Sequence, residues 1–313
     1  MPERRIAVMG SFITDLAFRT AALPVWGQTI LGSGFLIGPG GKGSNQAVAA
    51  ARLGARVSFI SKLGRDAFAD LARRTWQEEK IDARFVFETR ERPTGAASIV
   101  VNETSGDNAI VVVPGSGLLL TTAEVDQARE AIAESAVFLT QLESPLEAVL
   151  HALQLARSLD VTTILNPAPG LRLPDAIYPL CDYLTPNESE AATLVGAPVT
   201  SLAEAQRAAS ALLGRGARAV IVTLGSNGAL VKTASVTQHV PACDAGPAIE
   251  QSMLANSLRQ GMHSGGGDGK SPGADGRGCS LRRLAHHSRG AIDREVGARL
   301  NHAGRNRGHN CDH

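Results

Sequence analysis

Short apolar runs alternate with amphipathic helical segments along most of the chain, and this alternation restricts the fold more than any other feature of the sequence. Buried strands are predicted at 6–9, 57–61, 137–141, 162–165, 183–185, 219–223 and 229–232. Helices are predicted at 45–53, 66–79, 122–135, 145–158, 188–195 and 202–213. Two β-branched runs, 94–101 and 109–113, flank a polar turn and predict a hairpin. Strands separated by helices form βαβ units, so we predict an α/β fold with a mostly parallel, doubly wound sheet.

The composition changes near residue 250. Residues 251–313 carry 10 Lys and Arg against 5 Asp and Glu, hold 12 of the 33 glycines, and contain no Phe, Trp or Tyr. Such a segment buries little apolar surface to offset its chain entropy. We therefore treat 1–250 as the folded body and predict that 251–313 is poorly ordered. The Cys and His residues of this tail match no closed zinc-ligand spacing.

Charge and hydropathy exclude several classes of protein. The formal net charge is +1, so a field that gathers nucleic acid is not expected. No run of 18 apolar residues occurs, and the apolar stretch near the start is too short for a signal peptide. We predict a cytoplasmic protein with no membrane and no nucleic-acid partner.

A glycine-rich cluster, Gly38-Pro-Gly-Gly-Lys-Gly-Ser-Asn-Gln46, leads directly into the first predicted helix. Glycines let a ligand approach the backbone closely, and the helix start offers free N–H groups to polar or anionic oxygens. The spacing is not that of a P-loop, which would need Gly where Leu36 stands. Taken alone, the cluster is also consistent with a tight turn that caps a helix.

With the Ala-rich helix that follows it, this cluster resembles the first signature of the PfkB-type carbohydrate kinases, and within them the ribokinases. Further family motifs agree in the order expected for the family: one precedes the cluster, at 10–15, and the others follow it, at 141–145, 166–169, 185–190 and 222–228. The resemblance covers about residues 5–241. It implies a ribokinase-like three-layer α/β/α sandwich with a small β lid, the lid strands lying in about 12–45 and 94–113. In this family the lid excludes water from the reaction and often supplies a homodimer face.

The resemblance also assigns the substrates and their residues. It implies transfer of the γ-phosphate of ATP to the 5-hydroxyl of ribose, with Mg²⁺ on the phosphates and a monovalent cation such as K⁺ at a site we do not identify. The implied sugar-binding residues are Ile13, Thr14, Asp15, Gly41, Lys42, Gly43, Ser44, Asn45 and Glu143. A carboxylate such as Asp15 can accept two hydroxyl protons. The alternatives are a turn cap for Asp15 and a helix N-terminal charge for Glu143.

A second group of residues is assigned to the nucleotide. The implied contacts are Asn187, Thr223, Leu224, Gly225, Ser226, Asn227 and Gly228, with Glu190 acting on the metal indirectly through Mg²⁺-phosphate. For Asn187 and Glu190 the alternative is a helix N-cap followed by an acidic first turn. For the 223–228 segment, the alternative is a turn between two strands with no role in ligand binding.

One family signature is absent from the sequence. These kinases carry Asp-Thr-x-Gly-Ala-Gly-Asp about 25 residues after the 223–228 segment, and its last Asp is the general base. Here Ala248-Ile-Glu250 is followed by Gln-Ser-Met-Leu-Ala-Asn256. We interpret this as a deletion followed by a reading-frame shift, which leaves no catalytic residue identified. Asp268, which ends a Gly-Gly-Gly-Asp run, is the one candidate for the catalytic base, but it comes about a dozen residues too late and no apolar helix follows it.

Two alternatives to an active ribose kinase therefore stay open. In the first alternative, the chain is a non-catalytic relic that binds sugar and nucleotide. In the second, it is a kinase for another sugar or nucleoside. The second alternative rests on Ile13, because ribokinases usually place Asn two residues before the sugar-binding Asp.

Overall fold

The computed structural model describes residues 5–242, so the predicted tail and Asp268 lie outside the described residues. The strands are β1 (Arg5–Met9), β2 (Ile13–Thr20), β3 (Gly34–Gly40), β4 (Arg56–Leu63), β5 (Asp82–Glu88), β6 (Thr94–Asn102), β7 (Asn108–Gly115), β8 (Val137–Thr140), β9 (Thr162–Leu165), β10 (Tyr183–Leu184), β11 (Ala219–Thr223), β12 (Ala229–Thr233) and β13 (Thr237–Val240). The helices are α1 (Lys42–Arg52), α2 (Ala67–Glu78), α3 (Thr122–Gln127), α4 (Arg129–Ala133), α5 (Leu146–Ser158), α6 (Glu188–Val195) and α7 (Leu202–Gly214). Short 3₁₀ turns lie at Ser116–Leu119, Asp175–Leu180 and Gly225–Asn227.

Nine strands form the main sheet, in the order β13-β12-β11-β10-β9-β8-β1-β4-β5. The seven strands from β11 to β5 run parallel, whereas β12 pairs antiparallel with both β11 and β13. The chain moves outward from β1 to β4 and β5, and then crosses to β8 on the other side of β1. This switch point between β1 and β8 opens a crevice at the carboxyl ends of the strands, where ligands bind in such sheets.

Helices cover both faces of the main sheet because its strands are apolar on both sides. Val8, Val57 and Phe59 pack under α1 and α2. Ala7 and Met9, which point to the opposite face, join the core formed with α3, α4 and α5. The result is three layers around two apolar cores.

A second sheet, in the order β3-β2-β6-β7, forms the lid. Strand β2 pairs antiparallel with β3 and parallel with β6, so two separate chain segments build one sheet. Its own small core consists of Ile13, Ala17, Ala97, Ile99 and Val101, packed beside Leu36.

The lid is fixed to the body at the start of β6. The backbone N–H of Thr94 donates to Asp66 Oδ2 at 2.8 Å, and Thr94 Oγ1 accepts from the Gly64 N–H at 3.0 Å. The other carboxylate oxygen of Asp66 caps α2 by accepting from the Ala69 N–H at 2.9 Å. These hydrogen bonds hold the pKa of Asp66 below its usual value, against the opposing effect of burial, which is the largest single influence.

The predicted α/β fold class and mostly parallel sheet are confirmed, and four details differ. Residues 42–45, placed in the lid segment, are the first turn of α1. The single helix expected at 122–135 is two helices that meet at Ala128. Strands β5 and β13 were not predicted. Among residues 5–242, no helix combines the length and apolar character needed to cross a bilayer.

Candidate active site

The glycine-rich segment brings the start of α1 against the end of β1. A Cβ on Gly43 would lie 2.7 Å from the Cα of Gly10, so only hydrogen fits there. Gly41, with φ of +87°, precedes the helix, and a Cβ on it would lie 2.7 Å from Ile13 N and from Ser11 O. This close approach places the first helical turn at the switch-point crevice.

Asp15 carries a buried carboxylate with no hydrogen-bond donor among the described residues. Its side chain is 6% exposed. Burial, and then the negative charge of Glu143, raise the pKa of Asp15 to about 6, while the Lys42 ammonium acts in the opposite direction. A buried acceptor of this kind needs donors from a ligand or from water.

Glu143, in contrast, is already held by protein donors. One of its oxygens, Oε2, accepts from Ser11 Oγ and from the Lys42 N–H at 2.9 Å. The other, Oε1, lies 3.3 Å from Lys42 Nζ. This network fixes the Glu143 carboxylate between the end of β1 and the first turn of α1, and Oε1 keeps capacity for a ligand hydroxyl.

The other residues predicted to bind the sugar differ in burial and in hydrogen bonding. Asn45 is partly exposed in the first turn of α1, and its side-chain amide has no hydrogen bond within residues 5–242. Ser44 is buried and accepts from Trp76 Nε1 at 3.0 Å, so its hydroxyl faces the body core. Thr14 is fully buried, and Ile13 packs in the lid core. The Ser44 hydroxyl is therefore turned away from the crevice. Thr14 lies on the lid face opposite Asp15, and its hydroxyl has no hydrogen-bond partner within residues 5–242. Ile13 shares the face of Asp15, but its apolar side chain cannot bind a hydroxyl group.

Asn187 and Glu190 form a complete capping box at the start of α6. Asn187 Oδ1 accepts from the Glu190 N–H at 2.8 Å, and the Asn187 N–H donates to Glu190 Oε2 at 2.9 Å. Asn187 Nδ2 also donates to Glu190 Oε1 at 3.0 Å. The structural alternative considered above thus accounts for both residues, although each Glu190 oxygen retains a free lone pair. Burial raises the pKa of Glu190, and the Lys42 ammonium opposes this rise.

The 223–228 segment is an exposed turn with a buried anchor. Thr223, Gly225, Ser226 and Asn227 are exposed, whereas the Leu224 side chain packs in the main core. Leu224 can therefore face a ligand only through its backbone. A Cβ on Gly228 would lie 2.6 Å from Ala242 N, so this glycine serves chain packing rather than close approach of a ligand.

The two halves of the predicted site lie at the same edge of the main sheet. Thr223 forms an isolated parallel bridge with Asn187, and its N–H donates to Pro186 O at 3.0 Å. The Lys42 ammonium lies close enough to influence both Asp15, predicted to bind sugar, and Glu190, predicted to act on the nucleotide side. One lysine therefore stands among three carboxylates, which leaves the crevice with a net negative charge.

Ser11, Gln46, Gln141 and Asn166 line this region, and the sequence did not assign a role to any of them. Each lies within one of the sequence motifs described above, and its position next to a strand end or helix start is the sequence feature that could have identified it as a site residue. Within residues 5–242, no group of three or more His, Cys, Asp or Glu side chains is arranged to hold a metal ion.

An α/β body with polar side chains gathered at the switch point, beside a β lid, is typical of proteins that bind small molecules. The model of the family described as "pfkB family carbohydrate kinase" matches residues 3–249. The chain belongs to the PfkB family of carbohydrate kinases. The prediction of a carbohydrate kinase is therefore confirmed.

Individual relatives agree with this assignment. A ribokinase from Mus musculus is 40% identical over 239 residues, which span 75% of this chain and 74% of the relative. A deoxyribokinase from Salmonella typhimurium is 39% identical over 238 residues, or 76% and 78% of the two chains. The structure of Arabidopsis thaliana ribokinase complexed with ribose and ATP superposes with a TM-score of 0.68 at 25% identity, covering 77% of this chain and 78% of that one.

Proposed function

We propose that this protein binds ribose and ATP and transfers the γ-phosphate to the 5-hydroxyl of the sugar. The observation that carries the proposal is the Asp15 carboxylate, which is buried and lacks a donor among residues 5–242. Two neighbouring hydroxyls of a pentose supply the two donors it lacks. Glu143, Lys42 and Asn45 complete the polar wall, and the ribose-bound relative supports the choice of a pentose.

On the nucleotide side, we propose that the exposed turn at 223–228 and the start of α6 receive ATP. The chemistry of Glu190 fits a supporting role for Mg²⁺, because Mg²⁺ on a nucleotide is typically held by one or two carboxylates together with phosphate oxygens and water. Bound Mg²⁺ would neutralise charge on the phosphates. The buried Glu190 carboxylate, with its raised pKa, would be stabilised by a nearby cation. The K⁺ prediction names no residues and stays a prediction.

In the proposed transfer, the 5-hydroxyl oxygen forms a bond to the γ-phosphorus, and the bond from that phosphorus to the β–γ bridging oxygen breaks. ADP leaves, and the hydroxyl proton passes to a general base. The sequence has no Gly-Ala-Gly-Asp after Glu250 to supply that base, and Asp268 lies outside the described residues. Loss of a general base typically costs about 10²–10⁴-fold in rate. We therefore expect this chain to transfer the phosphoryl group about 10²–10⁴-fold more slowly than a chain that keeps the base.

Two further candidates follow from specific observations. The apolar, buried Ile13 and the deoxyribokinase relative favour a deoxygenated pentose over ribose. The absent signature favours a protein that binds sugar and nucleotide without turnover. Both candidates retain the same binding crevice and differ in which sugar binds most tightly and in whether transfer occurs.

A single set of assays distinguishes these functions. ADP release and sugar affinity are measured over ribose, 2-deoxyribose, arabinose, xylose, fructose and adenosine, for the chain as it stands and for a variant with Gly-Ala-Gly-Asp inserted after Glu250. We expect ribose to bind to both proteins and the insertion to raise turnover by about 100-fold or more. An insertion of Gly-Ala-Gly-Asn is the matched control and restores the backbone without the base. Failure of every sugar to bind would contradict the proposal.

We also propose a homodimer through the lid. Phe18, Phe35, Ile37, Val111 and Val113 are exposed and, by strand register, share the lid face opposite Asp15. Phe18 and Phe35 stack with ring centroids 4.8 Å apart. Burial of such a patch favours association of two copies. Light scattering should give twice the chain mass for the wild type and the chain mass for Phe35→Glu, and a monomeric wild type would contradict the proposal. A cytoplasmic location stays a prediction.

A further inference from the structure

We infer that Gln46 is a positioning residue that couples the sugar side of the crevice to the nucleotide side through a chain of side-chain amides, an inference that rests on the proposed function. Gln46 lies near the start of α1, next to Asn45. Its Oε1 accepts from Gln141 Nε2, and its own Nε2 donates to Asn166 Oδ1 at 3.2 Å. Because Gln46 accepts at one end and donates at the other, its loss interrupts the chain at both points.

The first end of the chain touches the glycine-rich segment. Gln141 follows β8 and is 1% exposed. A Cβ on Gly43 would lie 2.9 Å from Gln141 Oε1, so the amide packs directly on the backbone of the first turn of α1. Any shift of this turn when a sugar binds must move the Gln141 amide as well.

The second end reaches the nucleotide side. Asn166, which follows β9, donates from Nδ2 to Thr185 O at 3.0 Å. Thr185 precedes Asn187 by two residues, and the intervening Pro186 accepts from the Thr223 N–H at 3.0 Å. Hydrogen bonds thus connect Gln46 to Asn166 and Asn166 to Thr185. The peptide bond from Thr185 to Pro186 and the hydrogen bond from the Thr223 N–H to Pro186 O extend this connection to the first residue of the 223–228 turn.

A connected set of contacts of this kind is shared by the two binding regions, so each ligand can restrict the conformations of the same side chains and loop. If sugar binding fixes the start of α1, the amides and the loop at 185–187 are restricted before the nucleotide arrives, so the nucleotide loses less conformational entropy on binding. Linkage requires the effect to be reciprocal, so each ligand tightens the other by the same factor.

Calorimetry on the full chain tests this coupling. The Kd of Mg²⁺-adenylyl imidodiphosphate is measured with and without saturating ribose, or with 2-deoxyribose if that sugar binds more tightly. We expect the wild-type Kd to fall about fivefold or more when sugar is present. In Gln46→Met, which keeps the side-chain length but makes neither hydrogen bond, we expect the ratio to approach one while each separate Kd changes less than about threefold.

A second variant and a control keep the test specific. Asn166→Leu breaks the chain at a different point and should lower the ratio equally, and the double variant should lower it no further, since the two residues act in one chain. Gln77→Met, on the exposed face of α2, should leave the ratio unchanged. Unchanged coupling in Gln46→Met, or a wild-type ratio of one with both ligands bound, would overturn this inference alone. Absence of all binding would contradict the proposed function with it.

Discussion

The Asp15 carboxylate on β2 lies against Gly40, its diagonal neighbour on β3, so closely that no side chain fits at position 40. A Cβ there would lie 2.5 Å from the carboxyl carbon of Asp15. The absence of a side chain at Gly40 on β3 therefore leaves room for the Asp15 carboxylate in the lid. The position of this carboxylate depends on the neighbouring strand as well as on its own rotamer.

Gly40→Ala should displace the Asp15 carboxylate and weaken sugar binding about tenfold or more. Gly34→Ala, on the same strand, is the matched control, because a Cβ on Gly34 would lie 3.4 Å from its nearest neighbour, Arg19 Cδ, an ordinary contact. Titration calorimetry with ribose gives both affinities. Equal affinities in the two variants would show that the Asp15 position does not limit sugar binding.

Asp15→Asn should abolish sugar binding and stabilise the fold at pH 7.5. Burial raises the pKa of Asp15 to about 6 from the ordinary value of 3.8, so the folded protein holds this proton more tightly than the unfolded chain. The stability this group contributes is full below about pH 4 and is lost as the pH rises to about 6. The asparagine avoids that loss, which is on the order of 2 kcal/mol.

The stabilisation should shrink toward zero as the pH falls. Denaturant unfolding of both proteins at pH 7.5 and pH 4.5 measures the change. A variant that is less stable than the wild type at both pH values would contradict the burial of an ionised carboxylate.

Sugar affinity should fall as the pH is lowered through about 6, the raised pKa of Asp15. A protonated carboxyl has one fewer acceptor site for the hydroxyls, so the Kd should rise with each further pH unit, with an upper limit of about tenfold per unit when only the ionised form binds. Measurements of the Kd between pH 5 and pH 8 test this, and a flat profile would contradict it. Lys42 and Glu143 also face Asp15. Glu143→Gln should therefore shift the midpoint downward, since it removes a charge that raises the Asp15 pKa.

Thr94→Val should loosen the attachment of the lid. The variant removes the acceptor for the buried Gly64 N–H at 3.0 Å, and leaving such a group unpaired costs about 1–3 kcal/mol. Thr104→Val, in the exposed turn between β6 and β7, is the control. We expect faster hydrogen exchange at the start of β6 and a lower free energy of unfolding for Thr94→Val alone. Identical exchange in both variants would show that the Thr94 hydroxyl does not hold the lid.

The sequence predicted strands best where they are buried on both faces. The runs that became β1 and β11 are largely apolar and that of β9 is Thr-Thr-Ile-Leu, and β9 and β11 lie at the predicted residues. Strand β5 is only partly buried, and its Phe-Val-Phe run is short and flanked by Arg84 and Glu88. Strand β13 is a polar edge strand without the apolar pattern that predicts a strand. The break at Ala128 has no Gly or Pro to mark it.

The site was harder to predict because its contacts join distant parts of the chain. Ser11 and Glu143 are 132 residues apart in sequence, and only the adjacency of β1 and β8 brings them together. The early start of α1 at Lys42 also depends on tertiary packing, since two glycines at a helix start give little intrinsic preference for helix. The sequence motifs indicated which residues to examine, but the direction of Ser44 or Leu224 followed only from packing.

The parallel pairing of β2 with β6 makes the lid a composite of two insertions that leave the body at different points. Neither insertion forms the four-stranded sheet alone, and a movement of one must carry the other with it. An exchange of lids between members of this family would therefore have to transplant both segments together, with their shared apolar interior, to yield a working hybrid.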